Sequence, residues 1–219
     1  SSGRGVAQDY NEAVKWYALA AEKGYTSALY NLGVCYYRGR GVTQDYGEAV
    51  KWYTLAANKG SVEAQYNLGF CYTMGLGVAQ DYKEAVKCWN LVLAEQMHVG
   101  AQYNLGMCYL NGYGVSQDYS KAVKWYTLAS EQGYAEAQND LGVCYLSGCG
   151  VAQDYSEAVK WFTLAAEQGY AEAQNNLGIC YCNGQGVNKD YEEAKKWYTL
   201  AAEQGHEMAV SNLKILETL

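Results

Sequence analysis

The chain has 219 residues, of which half are hydrophobic and 18% are charged, so a folded rather than a disordered protein is expected. Its net charge is −7 and no basic cluster occurs, which argues against binding to nucleic acid or to an anionic membrane surface. No apolar run approaches the ~20 residues that span a bilayer, so direct membrane insertion of this segment is not expected.

One short string, Gly-Val-x-Gln-Asp-Tyr, recurs along almost the whole chain. Copies begin at Gly5, Gly41, Gly77, Gly114 and Gly150, and an altered copy begins at Gly186. The intervals between copies are 36, 36, 37, 36 and 36 residues. A period of this length predicts a solenoid, in which each repeat buries its apolar face against its neighbours. Solenoids usually work through extended surfaces, so the repeat favours a binding function over a catalytic pocket.

The first predicted element is a helix over residues 9–23. Trp16, Tyr17 and Ala20 on this helix are core-type residues, and no earlier helix of this chain can cover them. We therefore expect the helix to fray or to associate end to end with another molecule.

Each following repeat is predicted to form two helices. The segment from Asp45 to Gly60 begins with Asp and Glu at the spacing of a capping box, continues with apolar residues at helical spacing, and ends at glycine. The next stretch carries Leu68 and Cys71 on one face and ends at Gly75. We refer to the first type as a Trp-Tyr helix and to the second as a Leu-Gly helix. The pattern predicts five helix pairs over about 26–204 and a capping helix over 207–219.

The full repeat, A-x-x-LG-x-x-Y-x-x-G-x-GV-x-x-D-Y-x-x-A-x-K-W-Y-x-x-A-A-x-x-G, resembles the Sel-1-like repeat, a relative of the tetratricopeptide repeat. The match covers residues 5–219. The resemblance implies an all-α fold, a right-handed α/α superhelix (solenoid) of about twelve antiparallel helices. It also implies that residues 1–219 form a single array, with the Leu-Gly helices on the concave side and the Trp-Tyr helices outside.

Positions that stay constant between repeats are interpreted as packing residues. Ala49, Trp52, Leu55, Leu68 and Tyr72, with their counterparts, belong to this set. A tryptophan in nearly every repeat could also serve as a stacking platform for a ligand, but its helical spacing favours the core.

Positions that vary lie on one stripe of the Leu-Gly helices and are candidates for a binding surface on the concave face. The candidate apolar residues are Tyr30, Tyr66, Phe70, Tyr103 and Met107. The stripe keeps large groups without keeping any one residue, which fits a binding surface for a partner protein or peptide. The alternative is that these positions vary by sequence drift because this face of the helices binds no partner.

A polar residue directly precedes the leucine of each Leu-Gly helix. The candidate polar ladder comprises Asn31, Asn67, Asn104, Asp140 and Asn176, and continues to Asn212. An amide offers both a donor and an acceptor, which an extended peptide backbone requires. Concave asparagine ladders of this kind occur in tetratricopeptide arrays, which the chain resembles here. Each asparagine could equally form a hydrogen bond with a backbone group between repeats, and both interpretations remain open.

Five of the eight cysteines occupy one equivalent position, namely Cys35, Cys71, Cys108, Cys144 and Cys180. Neighbouring helices pack about 10 Å apart, whereas a disulfide needs Cα atoms within roughly 7 Å. The thiols are therefore predicted to be buried and reduced, which favours a cytoplasmic setting.

No catalytic, metal or cofactor site is predicted. The two histidines, His98 and His206, lie about three repeats apart, and no nucleophile constellation can be assembled around them. The enzyme alternative comes from a cysteine-rich branch of the same repeat family, which is associated with penicillin binding and β-lactam hydrolysis. Positions that carry paired cysteines in that branch are Ala57 and Gln65 here, so the disulfide framework is missing.

Overall fold

The computed structural model describes residues 9–95 and 98–216. Every regular element in these ranges is an α-helix, and the predicted all-α class with twelve helices is confirmed for them. The helices are α1 Tyr10–Glu22, α2 Thr26–Arg38, α3 Tyr46–Ala57, α4 Val62–Met74, α5 Tyr82–Glu95, α6 Val99–Asn111, α7 Tyr119–Glu131, α8 Ala135–Ser147, α9 Tyr155–Glu167, α10 Ala171–Asn183, α11 Tyr191–Glu203 and α12 Glu207–Leu216. Odd numbers are the Trp-Tyr helices and even numbers the Leu-Gly helices.

The chain divides into two compact units, which are described separately. The first unit comprises Ser1–Ala101 with Tyr113–Ser116, and the second comprises Gln102–Gly112 with Gln117–Leu219. Consecutive helices pack against each other within each unit, from α1 to α5 in the first and from α7 to α12 in the second, as in an α-solenoid. Between residues 9 and 216, in the parts that are described, no helix combines the length and apolar character needed to cross a bilayer.

Aspartate begins the Trp-Tyr helices as the sequence predicts. The Asp45 carboxylate accepts a hydrogen bond from the backbone N–H of Glu48, and Asp118 does the same for Lys121 although it lacks the capping-box glutamate. The glutamate half of the box is not used. Glu48 pairs with Lys51, and the backbone N–H of Asp45 donates to the carbonyl of Tyr36 on the preceding helix. The same backbone bond joins α5, α7, α9 and α11 to the Leu-Gly helix that precedes each of them.

The glycine of the Leu-Gly pair allows two helices to approach closely. A Cβ atom on Gly142 would lie 2.7 Å from the ring of Phe162 on α9, which is closer than packed carbon atoms come. A loop glycine has a similar role, since Gly150 has φ of 76° and its Cβ would lie 2.3 Å from the carbonyl oxygen of Tyr119. The constant glycines therefore mark places where backbone and rings touch.

In most of the Trp-Tyr helices, the fully buried aromatic side chain belongs to the residue directly after the tryptophan. Tyr53, Tyr126 and Phe162 are at most 1% exposed, whereas the preceding tryptophans are only half-buried. In the third repeat the tryptophan itself moves to this position, and Trp89 is 2% exposed. The interpretation of the Trp position as full core is therefore corrected.

The leucine three residues after the tryptophan was assigned to packing, and that assignment is wrong. Leu55 is 48% exposed, and its counterparts are exposed in the same way. They are Leu19, Leu91, Leu128, Leu164 and Leu200. This position faces away from both neighbouring helices, so its constancy does not come from burial.

Candidate functional site

A cleft of about 300 Å³ opens between α2 and α4 in the first unit. Its lining residues are Tyr30, Val34, Tyr37 and Arg38 from α2, Tyr53 from α3, and Tyr66, Asn67 and Phe70 from α4. Residues three and four apart share one face of a helix, so the two Leu-Gly helices present these side chains towards the same space. The buried Leu32 and Leu68 hold the opposite faces of the helices in the core.

Aromatic rings form the floor of the cleft and contribute to both of its walls. The ring of Tyr53 lies on the floor, with its centroid 6.0 Å from that of Tyr30 and 6.4 Å from that of Tyr37. On the other wall, the ring of Tyr66 packs 4.4 Å from the imidazole of His98. Rings at these separations support one another in fixed positions, so the cleft is formed before any ligand arrives.

The polar groups that line the cleft are tyrosine hydroxyls, the amide of Asn67 and the guanidinium of Arg38. Burial raises the pKa of Tyr53 above its ordinary value, and a hydrogen bond with Asn67 opposes this only in part. Burial also raises the pKa of Tyr37, and the nearby charge of Arg38 is a smaller, opposing effect. Both phenols therefore stay protonated at neutral pH. The cleft offers apolar walls, phenol O–H groups, one amide and one guanidinium.

On the corresponding surface of the second unit, polar side chains form a hydrogen-bond network between helices, and a further cleft of about 360 Å³ lies between α10 and α12. Tyr103 donates its hydroxyl to Asp140 at 3.1 Å, and Asn139 donates to the other carboxylate oxygen at 3.1 Å. Asn176 then donates to Asn139 at 2.9 Å. Each bond between helices joins one Leu-Gly helix to the next, so the network connects α6, α8 and α10.

The same pattern continues to the last helix. Asn212 on α12 donates to Asn175 on α10 at 2.9 Å. Burial raises the pKa of Asp140, and the hydrogen bonds from Asn139 and Tyr103 act against that rise. In this unit Asp140, Asn176 and Asn212 form hydrogen bonds with side chains of the preceding repeat. The sequence alternative, a bond to a backbone group between repeats, is therefore correct about the link between repeats but not about the kind of partner.

The structure thus separates the residues that were predicted together. Tyr30, Tyr66, Asn67 and Phe70 line the cleft of the first unit. Asn31 lies on α2, half-buried and outside the lining. In the second unit Asn104 is half-buried on α6, Tyr103 and Met107 pack against the core around Tyr126, and Asp140 and Asn176 belong to the polar network. Arg38 was not predicted, although its basic charge at the end of a Leu-Gly helix was visible in the sequence.

A second set of polar residues, the buried glutamines, was not predicted either. Gln138 donates to the carbonyl of Ser130 at 3.1 Å and accepts from Gln168 at 2.7 Å. Gln174 repeats this arrangement with Ala166 and Gln204. Each buried amide thereby connects the Leu-Gly helix to the Trp-Tyr helices on both sides. A glutamine-to-carbonyl bond occupies the two positions at which the cysteine-rich branch carries its disulfide.

Both histidines cap helices. The Nδ1 atom of His98 accepts from the backbone N–H of Ala101, and that of His206 accepts from Ala209. The Nε2 atom of His206 lies 2.7 Å from a carboxylate oxygen of Glu172. Burial lowers the pKa of His98. The residues that the structure describes hold no group of His, Cys, Asp and Glu side chains able to bind a metal ion.

All eight cysteines are free thiols, as the spacing argument predicts. The five equivalent residues are buried, and so is Cys88, whereas Cys149 and Cys182 are partly exposed. Burial raises the pKa of Cys71 and Cys180 to about 11 and that of Cys144 to about 12. These thiols are therefore protonated at neutral pH and behave as small apolar groups.

Comparison with known proteins matches nearly the whole chain to one repeat family. The Sel1 repeat model matches residues 1–25, 26–61, 62–91, 99–134, 135–170 and 171–206. A comparison with curated proteins gives no match. Proteins with Sel1 repeats commonly act as scaffolds for protein interactions.

Solved structures agree with the family match. The chain is 40% identical to c5321, a protective antigen of uropathogenic Escherichia coli strains with an SLR fold, with a TM-score of 0.89 over 95% of this chain. It spans 44% of the length of that protein. It is 34% identical to a Sel1 repeat protein from Oxalobacter formigenes, with a TM-score of 0.86 over 93% of this chain and 81% of the other. The chain belongs to the Sel1 repeat family.

Proposed function

We propose that the chain is a non-enzymatic interaction scaffold that binds an extended segment of a partner protein along its Leu-Gly helices. The cleft between α2 and α4 is the principal contact. The observation that carries this proposal is a preformed cavity of about 300 Å³ with five aromatic side chains, an amide and a guanidinium among its lining residues. Concave apolar sites with a few placed polar groups are typical of ligand binding.

The polar ladder has two roles in this proposal. Asn67 lies at the cleft, where its amide can form hydrogen bonds with the backbone of a bound segment. Asp140 and Asn176 form hydrogen bonds within the polar network, so they hold the repeats together. Binding is therefore concentrated in the first unit. No observation favours the β-lactam enzyme alternative.

A selection of short random peptides on the immobilised chain tests the proposal. Selected peptides are expected to perturb the amide resonances of α2 and α4. Phe70→Ala removes an apolar wall of the cleft and should weaken their binding by about tenfold, equivalent to roughly 1.4 kcal/mol. The matched control is Val143→Ala, because Val143 holds the same repeat position on α8 and is 41% exposed.

Two results would contradict the proposal. One is a selection that yields no specific peptide. The other is a set of peptides whose affinity falls equally in the Phe70 and Val143 variants, or whose resonance changes avoid α2 and α4. Thermal unfolding of both variants, measured in parallel, separates a loss of binding from a loss of folding.

A further inference from the structure

Among the residues that the structure describes, Arg38 is the one cation that lines the cleft, and it forms no ion pair. It ends α2 and is exposed, and it belongs to none of the ion pairs that the described residues form. By contrast, Lys51 and Lys87 on the Trp-Tyr helices each pair with a glutamate. Of the five helices that carry Leu-Gly, α2 alone contains a lysine or arginine. The guanidinium is thus placed on the ligand-facing type of helix and keeps its five donors available.

The surroundings of Arg38 favour an anion. None of the lining residues of the cleft is an aspartate or a glutamate. The phenol of Tyr37 stays protonated because burial raises its pKa, so it can donate a hydrogen bond. The amide of Asn67 can donate another. A guanidinium with neighbouring O–H and N–H groups matches the acceptor geometry of a carboxylate.

The remaining walls favour a bulky apolar group beside that anion. Tyr30, Tyr66 and Phe70 contribute rings, and Val34 contributes a branched aliphatic side chain. A cleft of about 300 Å³ is large enough for one or two side chains, but not for a folded element. The size and lining therefore describe a short segment of two or three residues.

We infer that the cleft recognises a segment of a partner protein in which a carboxylate adjoins a bulky apolar side chain, with Arg38 pairing the carboxylate. This inference rests on the proposed function and adds the chemistry of the ligand. The net charge of −7 makes the rest of the chain unfavourable for an acidic segment. Arg38 therefore fixes where such a segment binds as well as how tightly it binds.

Matched synthetic peptides test this inference directly. The first pair is acetyl-Gly-Ser-Gly-Phe-Glu-Phe-Gly-Ser-Gly-amide and the same peptide with Gln in place of Glu. The second pair is acetyl-Gly-Ser-Gly-Gln-Phe with a free or an amidated C-terminus. Affinities come from titrations followed by resonances of α2 and α4. The first pair reports an internal acidic side chain, and the second reports a terminal carboxylate.

The variants are Arg38→Gln and the control Arg40→Gln. Arg40 has the same charge two residues later, but its guanidinium lies over the ring of Tyr10, 5.6 Å from the centroid, and outside the cleft. We expect at least one charged peptide to bind about tenfold more tightly than its neutral match, as charge-assisted hydrogen bonds require. Arg38→Gln should abolish that preference, and Arg40→Gln should preserve it.

The outcomes separate the inference from the proposed function. Equal binding of charged and neutral peptides at the cleft would overturn the inference and leave the scaffold function intact. If both arginine variants lost the preference for the charged peptide equally, the inference would also be overturned, because the preference would then come from the overall charge of the protein and not from Arg38 at the cleft. If neither these peptides nor the selected ones perturb the cleft, the proposed function fails as well.

Discussion

The Leu-Gly surfaces of the two units share one repeat pattern but differ in what their side chains do. In the first unit, Tyr30 and Tyr66 stand two residues before the leucine, and a cleft lies between α2 and α4. In the second, Tyr103 holds this position on α6 and bonds Asp140, whereas Asn139 and Asn175 hold it on α8 and α10, where each accepts a hydrogen bond from the next Leu-Gly helix at 2.9 Å.

The side chains at this position differ in what they contact. Two amides on neighbouring Leu-Gly helices can reach each other directly, as Asn176 does with Asn139 and Asn212 with Asn175. On α2 and α4 the rings of Tyr30 and Tyr66 line the cleft instead, whereas on α6 the hydroxyl of Tyr103 reaches Asp140 of the next repeat. The ladder residue beside this position differs accordingly, since Asn67 lines the cleft of the first unit and Asn176 joins two repeats of the second.

The largest expected effect concerns the ring beneath each surface, which both units share. Phe162→Ala in the second unit and Tyr53→Ala in the first should each lower the free energy of unfolding by about 3–5 kcal/mol, because both rings are almost fully buried. Trp161→Ala should cost less, about 1–2 kcal/mol, since its indole is half-buried. Denaturant titrations measure all three, and a larger loss for Trp161 than for Phe162 would reverse the assignment of the core.

The next effect separates the two roles of the ladder. Asn176→Ala leaves the buried amide oxygen of Asn139 without its donor and should lower stability by about 1–3 kcal/mol. Asn31→Ala is the matched control, because Asn31 holds the same position on α2 and forms no side-chain hydrogen bond within the described ranges. Its effect should stay within about 0.5 kcal/mol. Equal losses in both variants would mean that the ladder fastens the repeats in both units.

A smaller effect concerns Asp140, where the other repeats carry asparagine. Burial raises the pKa of this carboxyl above its ordinary value of 3.8, so the stability it contributes is present below that value and is lost as pH rises through the folded-state pKa. Asp140→Asn should therefore stabilise the second unit by about 0.5–1 kcal/mol at neutral pH. The gain should shrink towards about pH 4. A difference that is constant across this range would show that Asp140 stays charged without penalty.

The repeat period and the helix caps could be predicted from the sequence because they depend on local rules. A constant Asp before a helical run, or a constant glycine after it, satisfies groups within a few residues of itself. Packing partners were harder to predict. Leu55 and Trp52 are as constant as Tyr53, yet only Tyr53 is fully buried, because orientation on the helix decides which of three neighbouring apolar positions meets the next helix.

The sequence was better at locating the residues of the candidate site than at predicting what each of them does. Tyr66 and Phe70 were identified because their positions vary around a constant frame, and Asn67 because its position keeps a polar residue; all three line the cleft. The engagement of Asp140 and Asn176 in a network depends on residues 37 positions away, which no local pattern specifies. Arg38 was missed because a single charge carries no periodic signal.

The smallest expected effect is a difference in thiol reactivity between the units. All the cysteines of the first unit are buried, whereas the second unit also holds the partly exposed Cys149 and Cys182. A thiol reagent should count eight groups in denaturant, and in the folded chain only these two should react rapidly. The double variant Cys149→Ser with Cys182→Ser should lose the rapid phase without a measurable change in stability, since neither side chain belongs to the fully buried core. Rapid labelling of Cys35, Cys71 or Cys88 would instead mean that the first unit opens readily, and its cleft could not then be regarded as preformed.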